Sequence, residues 1–117
     1  RQMGIRDRCM NEVKMFNAPV TSDDLKAILS CKPKVIFRSN NNRYLAFLFS
    51  ELSYRNLITP NWQSVIANHK LFLSKDKSRD KYLNQGDLAT ATNYVKDIDH
   101  VKGYAIIDKY IKQLKKL

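Results

Sequence analysis

Residues 42–70 read NRYLAFLFSELSYRNLITPNWQSVIANHK, two amphipathic stretches joined by a short link. The first carries apolar residues at helical spacing, which predicts a helix over 42–55. The link ends in Thr59 and Pro60, an N-cap residue and a residue suited to the first helical position, so a second helix is expected over 60–70. Two helices of this length, joined by a short link that ends in a helix-start signal, are typical of a helix-turn-helix. The apolar residues that mark one face of the first helix are Leu45, Leu48, Phe49 and Leu52, and Tyr44 and Tyr54 widen that face.

The second predicted helix has an apolar arc and a polar face. Trp62 lies on the apolar arc and is expected to be buried against the first helix, and His69 continues that arc as a partly buried histidine. Amide side chains can bond to adenine in two places at once in the major groove of DNA, so the polar residues are candidate base contacts. An ordinary helical hairpin with a polar outer face is the alternative. The candidate base-contacting residues are Asn61, Gln63, Ser64 and Asn68.

Two short apolar segments suggest a minor β component around this helix pair. Residues 34–38 are rich in β-branched and aromatic side chains, which predicts a strand. Residues 71–73 and 82–83 flank the polar stretch 74–81, which is either the charged tip of a hairpin or a loop. A hairpin here would be a wing whose tip reaches phosphates. The fold class predicted is therefore mainly α with a minor β component, a helix-turn-helix that is winged-helix-like.

The remaining segments complete one domain over residues 1–117, with an N-terminal helical segment over 1–33 and the winged-helix-like core over 34–117. Thr21 and Asn84 each precede an aspartate by three residues, which predicts capped helix starts. The chain opens with Arg1, which suggests a fragment of a longer protein. The further helices expected cover 1–16, 22–30, 85–96 and the residues from Tyr104 to the end.

Positive charge is the most informative bulk property of the sequence. Lys and Arg number 21 against 11 Asp and Glu, a formal net charge of +10, which is typical of a domain that binds nucleic acid. Residues 32–43 and 74–81 concentrate this charge, although charged runs are also common in solvated loops. The candidate phosphate contacts are Lys32, Lys34, Arg38, Arg43, Lys75, Lys77, Arg79 and Lys81.

The sequence lacks the usual residue patterns of an enzyme. It has no Gly-rich loop, and its two histidines lack partners at metal-ligand spacing, so no catalytic residue, metal or cofactor is predicted. Two cysteines without a Cys-x-x-Cys spacing fit a reducing cytoplasm. The apolar runs are too short for an integral membrane segment.

Four parts of the sequence together carry a family resemblance: Val35-Ile36-Phe37, the leucine-rich helix over 45–52, Leu57-Ile58 and Asn61-Trp62. In this order they resemble small proteins encoded on Bacteroidetes mobile elements and, more distantly, the C-terminal winged-helix part of RteC-type regulators of conjugative transposons. The resemblance covers roughly residues 34–88 and includes no catalytic motif. It implies DNA binding and control of transcription or of a mobile element.

These observations predict a non-catalytic DNA-binding domain, with duplex DNA favoured over RNA as partner. RNA stays open because Tyr44, Tyr54, Tyr82 and Tyr94 can stack on unpaired bases if exposed. The alternative function is a protein-interaction or dimerisation module that uses the C-terminal amphipathic helix, and a membrane surface ranks third. The apolar stripe of that helix contains Ile107, Tyr110, Ile111, Leu114 and Leu117.

Overall fold

A computed structural model describes residues 2–75, 81–96 and 103–115. Most of these residues are helical and a small sheet completes the fold, so the mainly α prediction with a minor β component is confirmed. The elements in chain order are α1 (Gln2–Glu12), α2 (Ser22–Leu29), β1 (Phe37–Arg38), α3 (Asn42–Tyr54), α4 (Trp62–Asn68), β2 (Phe72–Leu73), α5 (Gln85–Val95) and α6 (Gly103–Lys115).

Capping side chains fix the starts of three helices. Thr21 and Asp24 form a capping box at α2, and Asn84 and Asp87 form another at α5, as the sequence predicts. In each box both side chains accept, each from the backbone N–H of the other residue. At α3 the side chain of Asn41 accepts from two backbone N–H groups of the first turn.

The first four helices end alike, with one residue in the left-handed backbone region. The N–H of that residue and the next N–H donate back to carbonyls of the last turn, which is a Schellman motif. At α4, for example, Lys70 N–H donates to Ala67 O at 3.3 Å and Leu71 N–H to Ile66 O at 3.1 Å. Glycine usually occupies such a position, yet here the residues are Lys14, Cys31, Asn56 and Lys70.

A small sheet joins three distant parts of the chain. β1 and β2 run parallel, and single antiparallel bridges extend the sheet beyond each of them. Ser74 N–H donates to Lys81 O at 2.6 Å, and Leu83 N–H donates to Phe72 O at 2.9 Å, so the segments that flank residues 76–80 pair with each other. The cross-strand pairs are Phe37 with Phe72, Arg38 with Leu73, Phe16 with Ser39 and Leu73 with Tyr82.

One hydrophobic core connects the sheet to the helices. α3 packs against α5 and α6, while α1 packs against α6 and α2, so residues from the predicted 1–33 segment share the core of 34–117. Trp62 is only 6 % exposed, and its ring centroid lies 5.6 Å from that of Phe49 on α3, which confirms the burial predicted for Trp62. The aromatic side chains of this core beneath the sheet are Phe16, Phe37, Phe49, Trp62 and Phe72.

Two predicted elements are shorter in the structure. The strand expected over 34–38 contains only Phe37 and Arg38, because β2 offers just two residues for pairing, and Val35 is 54 % exposed. The second helix begins at Trp62 rather than Pro60, because the hydroxyl of Thr59 accepts from Asn61 N–H and closes a turn before the helix.

Two further corrections concern helix ends. The first helix stops at Glu12, because Lys14 takes the left-handed conformation and directs Phe16 into the sheet. His69 is exposed rather than partly buried, because it is the C-cap residue of α4 and the helix face no longer continues there.

Candidate nucleic-acid interface

The outer face of the sheet presents one basic, one aliphatic and one aromatic side chain in a row. Residues paired across neighbouring strands point to the same side of a sheet, so the pairings align Arg38, Leu73 and Tyr82. Phe37 and Phe72 alternate with them and point into the core. Leu73 is half-buried and Tyr82 is 40 % exposed, so this outer row offers a partly apolar surface to solvent.

Arg38 is oriented by the backbone around it. Its guanidinium Nη1 donates to Ser74 O at 2.8 Å, and its own backbone N–H donates to the side-chain oxygen of Asn17 at 2.8 Å. These bonds fix the arginine at the centre of the sheet, half-buried, beside the start of the segment that leads to Lys75. The planar fork of donors on a guanidinium is the side-chain group that best matches the oxygens of a phosphate.

Three exposed lysines lie next to residues of the outer row in space or along the chain, and we call them the basic rim: Lys70, Lys75 and Lys81. Lys70 Nζ lies 5.8 Å from the ring centroid of Tyr82, within the range of a cation–π contact. Lys75 follows β2 two residues after Leu73, and Lys81 immediately precedes Tyr82, where its carbonyl accepts from Ser74 N–H. Sheet pairing and the end of α4 therefore bring cations from positions 38 to 81 close to this sheet.

The four candidate base-contacting residues do not share one environment. Asn61 and Asn68 are exposed and Ser64 is half-buried, and their spacing of three and four residues places them on one stripe of α4. Gln63 is different, because its Nε2 donates to the hydroxyl of Thr92 on α5 at 3.0 Å. The structure therefore brings Asn61, Ser64 and Asn68 together and directs Gln63 into a contact between helices.

The other candidate phosphate contacts lie away from the outer row or outside the described residues. Lys32 and Lys34 are exposed in the segment between α2 and β1. The guanidinium carbon of Arg43, at the start of α3, lies 3.5 Å from the ring centroid of Tyr94 on α5. Lys77 and Arg79 fall outside the residues that the structure describes.

Sequence reasoning missed Lys70 and Asn17 as parts of this surface. Lys70 follows α4 and belongs to no run of cations, so its position between a helix and an apolar segment was the only available signal. Asn17 orients Arg38 across a separation of 21 residues, which no local pattern reveals.

Three of the four tyrosines considered for stacking are exposed: Tyr54, Tyr82 and Tyr94. Tyr44 is half-buried instead and meets Tyr104 edge to face, with ring centroids 5.0 Å apart. Burial raises the pKa of the Tyr104 hydroxyl, and the nearby positive charge of Arg43 partly offsets this. Arg43 therefore lies beside a cluster of aromatic rings between α3, α5 and α6.

The C-terminal stripe considered for a partner contributes to the domain's own core. Ile107 and Ile111 are fully buried, and α6 packs on α1 and α3. Tyr110 is half-buried, and its hydroxyl donates to the Glu12 carboxylate. The remaining predicted stripe positions, Leu114 and Leu117, lie outside the described side chains.

Few groups in the described part of the chain are chemically unusual. Burial, with a smaller contribution from the Glu12 carboxylate, raises the pKa of the Cys9 thiol to about 12, and both cysteines are free thiols. Within residues 2–75, 81–96 and 103–115 no three His, Cys, Asp or Glu side chains come together to hold a metal ion. Nor does any described helix have the length and hydropathy needed to cross a membrane.

Comparisons with models of protein families, with curated proteins and with solved structures found no match for this chain. The resemblance of residues 34–88 to mobile-element proteins therefore stays a prediction.

Proposed function

We propose that this chain is a non-catalytic DNA-binding domain that contacts duplex DNA through the outer row of its sheet and the basic rim. The observation that carries the proposal is the sheet pairing itself. It places Arg38, Leu73 and Tyr82 side by side, and exposed lysines adjoin this row at the end of α4 and on the two paired segments. A surface with clustered cations on a domain of net charge +10 suits a polyanion.

The role proposed for each cation follows from whether its side chain is held by hydrogen bonds or exposed to solvent. Arg38 is held by Ser74 O and is suited to a fixed phosphate contact that sets register. Lys75 and Lys81 are exposed on the paired segments that flank residues 76–80 and supply salt-dependent affinity. Lys70 extends the same positive surface towards α4.

We propose that base contacts come from the exposed stripe of α4: Asn61, Ser64 and Asn68. Asn68 precedes Lys70 by two residues, so the stripe leads directly to the basic rim. Asparagine amides bond well to adenine in the major groove. Gln63 is left out of this role, because its amide is bonded to Thr92.

The order of α3, α4, β2 and the paired segment at 81–83 supports a winged-helix-like arrangement, with the paired segments as the wing. The connection between α3 and α4 covers residues 55–61 and is longer than the three- to four-residue turn of a helix-turn-helix. The proposed DNA contact therefore depends on the charged surface and the polar stripe. It does not require α3 and α4 to meet at the angle of a helix-turn-helix.

The salt dependence of binding to a random-sequence duplex tests this proposal. Anisotropy titrations at about 50 and about 200 mM salt should show a steep fall in affinity for the wild type. Lys75→Ala with Lys81→Ala should reduce the slope of log affinity against log salt by about two, roughly one for each lysine that no longer neutralises a phosphate. The same loss of two charges at Lys26 and Lys112, exposed on α2 and α6, is the matched control and should leave the slope nearly unchanged. Equal slopes in both double variants, or no duplex binding at low salt, would overturn the proposal.

A further inference from the structure

The stack of Arg43 on Tyr94 borders an open groove between the start of α3 and one face of α5. The groove has a volume of about 550 Å³ and is lined by Asn42, Arg43, Asp87, Thr90, Ala91, Asn93 and Tyr94. Its α5 residues recur at helical spacing, so the groove follows that helix for about two turns, or about 10 Å. The end at Asp87 lies five residues after Tyr82 of the outer row.

Arg43 and Tyr94 form a platform whose far side is open. The guanidinium carbon is 3.5 Å from the ring centroid, the arginine is exposed and the tyrosine is 51 % exposed. Stacking on the ring orients the guanidinium plane, so its second face and the N–H donors at its edge stay available. A planar π system is the group that such a surface accepts best.

The polar lining favours a nucleobase over a free phosphate. Thr90 and Asn93 are exposed and offer a hydroxyl and an amide to the edge of a base. The carboxylate of Asp87 lines the same groove and repels a phosphate, while it can accept a hydrogen bond from an exocyclic amino group. The volume falls within the range of small-molecule sites in proteins.

We propose that the Arg43–Tyr94 groove binds one unpaired base of the nucleic acid that the outer row and basic rim hold. The inference rests on the proposed function and extends it from a duplex surface to a junction between paired and unpaired nucleotides. A base stacked on the guanidinium adds affinity that a blunt duplex cannot supply.

A pair of probes separates this inference from the proposed function: a blunt duplex, and the same duplex with a short single-stranded extension that contains 2-aminopurine. The extension should raise the affinity of the wild type by about 5- to 100-fold, and binding should quench the 2-aminopurine fluorescence. Tyr94→Ala should abolish both effects while the affinity for the blunt duplex stays unchanged. Arg43→Lys keeps the charge but loses the planar face, so it should also lose the quenching.

Tyr54→Ala is the matched control, because Tyr54 is an exposed tyrosine on α3 and lies outside the groove. It should bind both probes like the wild type. The inference is overturned if the extension adds no affinity, if Tyr94→Ala retains the quenching, or if that variant weakens both probes equally. If the wild type does not bind the blunt duplex, the proposed function is overturned, and the inference with it.

Discussion

Gln63 Nε2 donates a hydrogen bond to Thr92 Oγ1 at 3.0 Å and so connects α4 to α5. The Thr92 hydroxyl donates in turn to Leu88 O at 2.7 Å, within α5. The Gln63 amide, which the sequence predicts to contact a DNA base, is thus bonded to another helix of the domain. This contact divides the polar residues of α4 into a structural member, Gln63, and an exposed stripe that includes Asn68.

Gln63→Ala should lower the free energy of unfolding by about 1 kcal/mol, because a partly buried hydrogen bond is removed. The sequence preference on DNA should not change. Urea denaturation measures the first effect, and competition between duplexes of different sequence measures the second.

Asn68→Ala is the matched comparison and should behave in the opposite way. Its side chain is exposed, so stability should change by less than about 0.5 kcal/mol. Discrimination at one base pair should fall by about 1–3 kcal/mol if the amide contacts a base. A changed preference in Gln63→Ala, together with an unchanged one in Asn68→Ala, would show that the two roles are assigned the wrong way round.

Trp62→Ala should destabilise the domain by about 3–5 kcal/mol, because the indole packs against Phe49 in the core. Chemical denaturation monitored by circular dichroism measures the loss. Since the sequence contains one tryptophan, iodide quenching of the wild-type fluorescence gives an independent check. Quenching as efficient as that of free tryptophan would contradict the burial of Trp62.

Lys70→Gly should make the protein more stable and a weaker DNA binder at the same time. Glycine removes the cost of the left-handed backbone at φ 52°, and its greater freedom in the unfolded chain offsets part of the gain, which leaves about 0.5–1 kcal/mol. Loss of the charge beside Tyr82 should lower affinity for a random duplex and reduce its salt dependence. Thermal unfolding measures the change in stability, and anisotropy titration measures the change in DNA affinity.

Lys14→Gly provides the control for that variant. Lys14 has the same φ of 52° at the end of α1 and is likewise exposed, but it belongs to neither the outer row nor the basic rim. It should show a similar gain in stability with little change in DNA affinity. Equal losses of affinity in both variants would show that net charge, rather than position, controls binding.

The alkaline stability of the protein should depend on Cys9. Its pKa is about 12 in the folded protein against 9.0 as the ordinary value, so the unfolded chain releases this proton at lower pH. The contribution of Cys9 is therefore complete below about pH 9 and is lost between about pH 9 and 12, at up to about 1.4 kcal/mol per pH unit. Cys9→Ala should show a shallower loss over that range in denaturation curves, and parallel curves would contradict the assignment.

Features that depend on neighbouring residues could be predicted from the sequence, whereas features that depend on long-range contacts could not. The capping boxes of Thr21 and Asn84 involve residues three positions apart, so they are visible in the sequence. The length of β1 depends on β2, which lies more than 30 residues further along the chain. A helical wheel separates the faces of α4 but does not show that the Thr92 hydroxyl accepts a hydrogen bond from Gln63. The candidate site was predicted in the same partial way, since Arg38 and Lys75 belong to visible charged runs, whereas the position of Lys70 beside Tyr82 depends on tertiary packing.

An NMR titration of the ¹⁵N-labelled protein with a random-sequence duplex tests the proposed surface most directly. Amide shifts should concentrate at Arg38, Lys70, Leu73, Lys75 and Tyr82, with a smaller set along Asn61 to Asn68. They should diminish as salt is raised, because phosphate contacts dominate the affinity. Amides of α1 and α6 should stay close to their free positions. Shifts confined to α1 and α6, with the outer row and basic rim unchanged, would contradict the account.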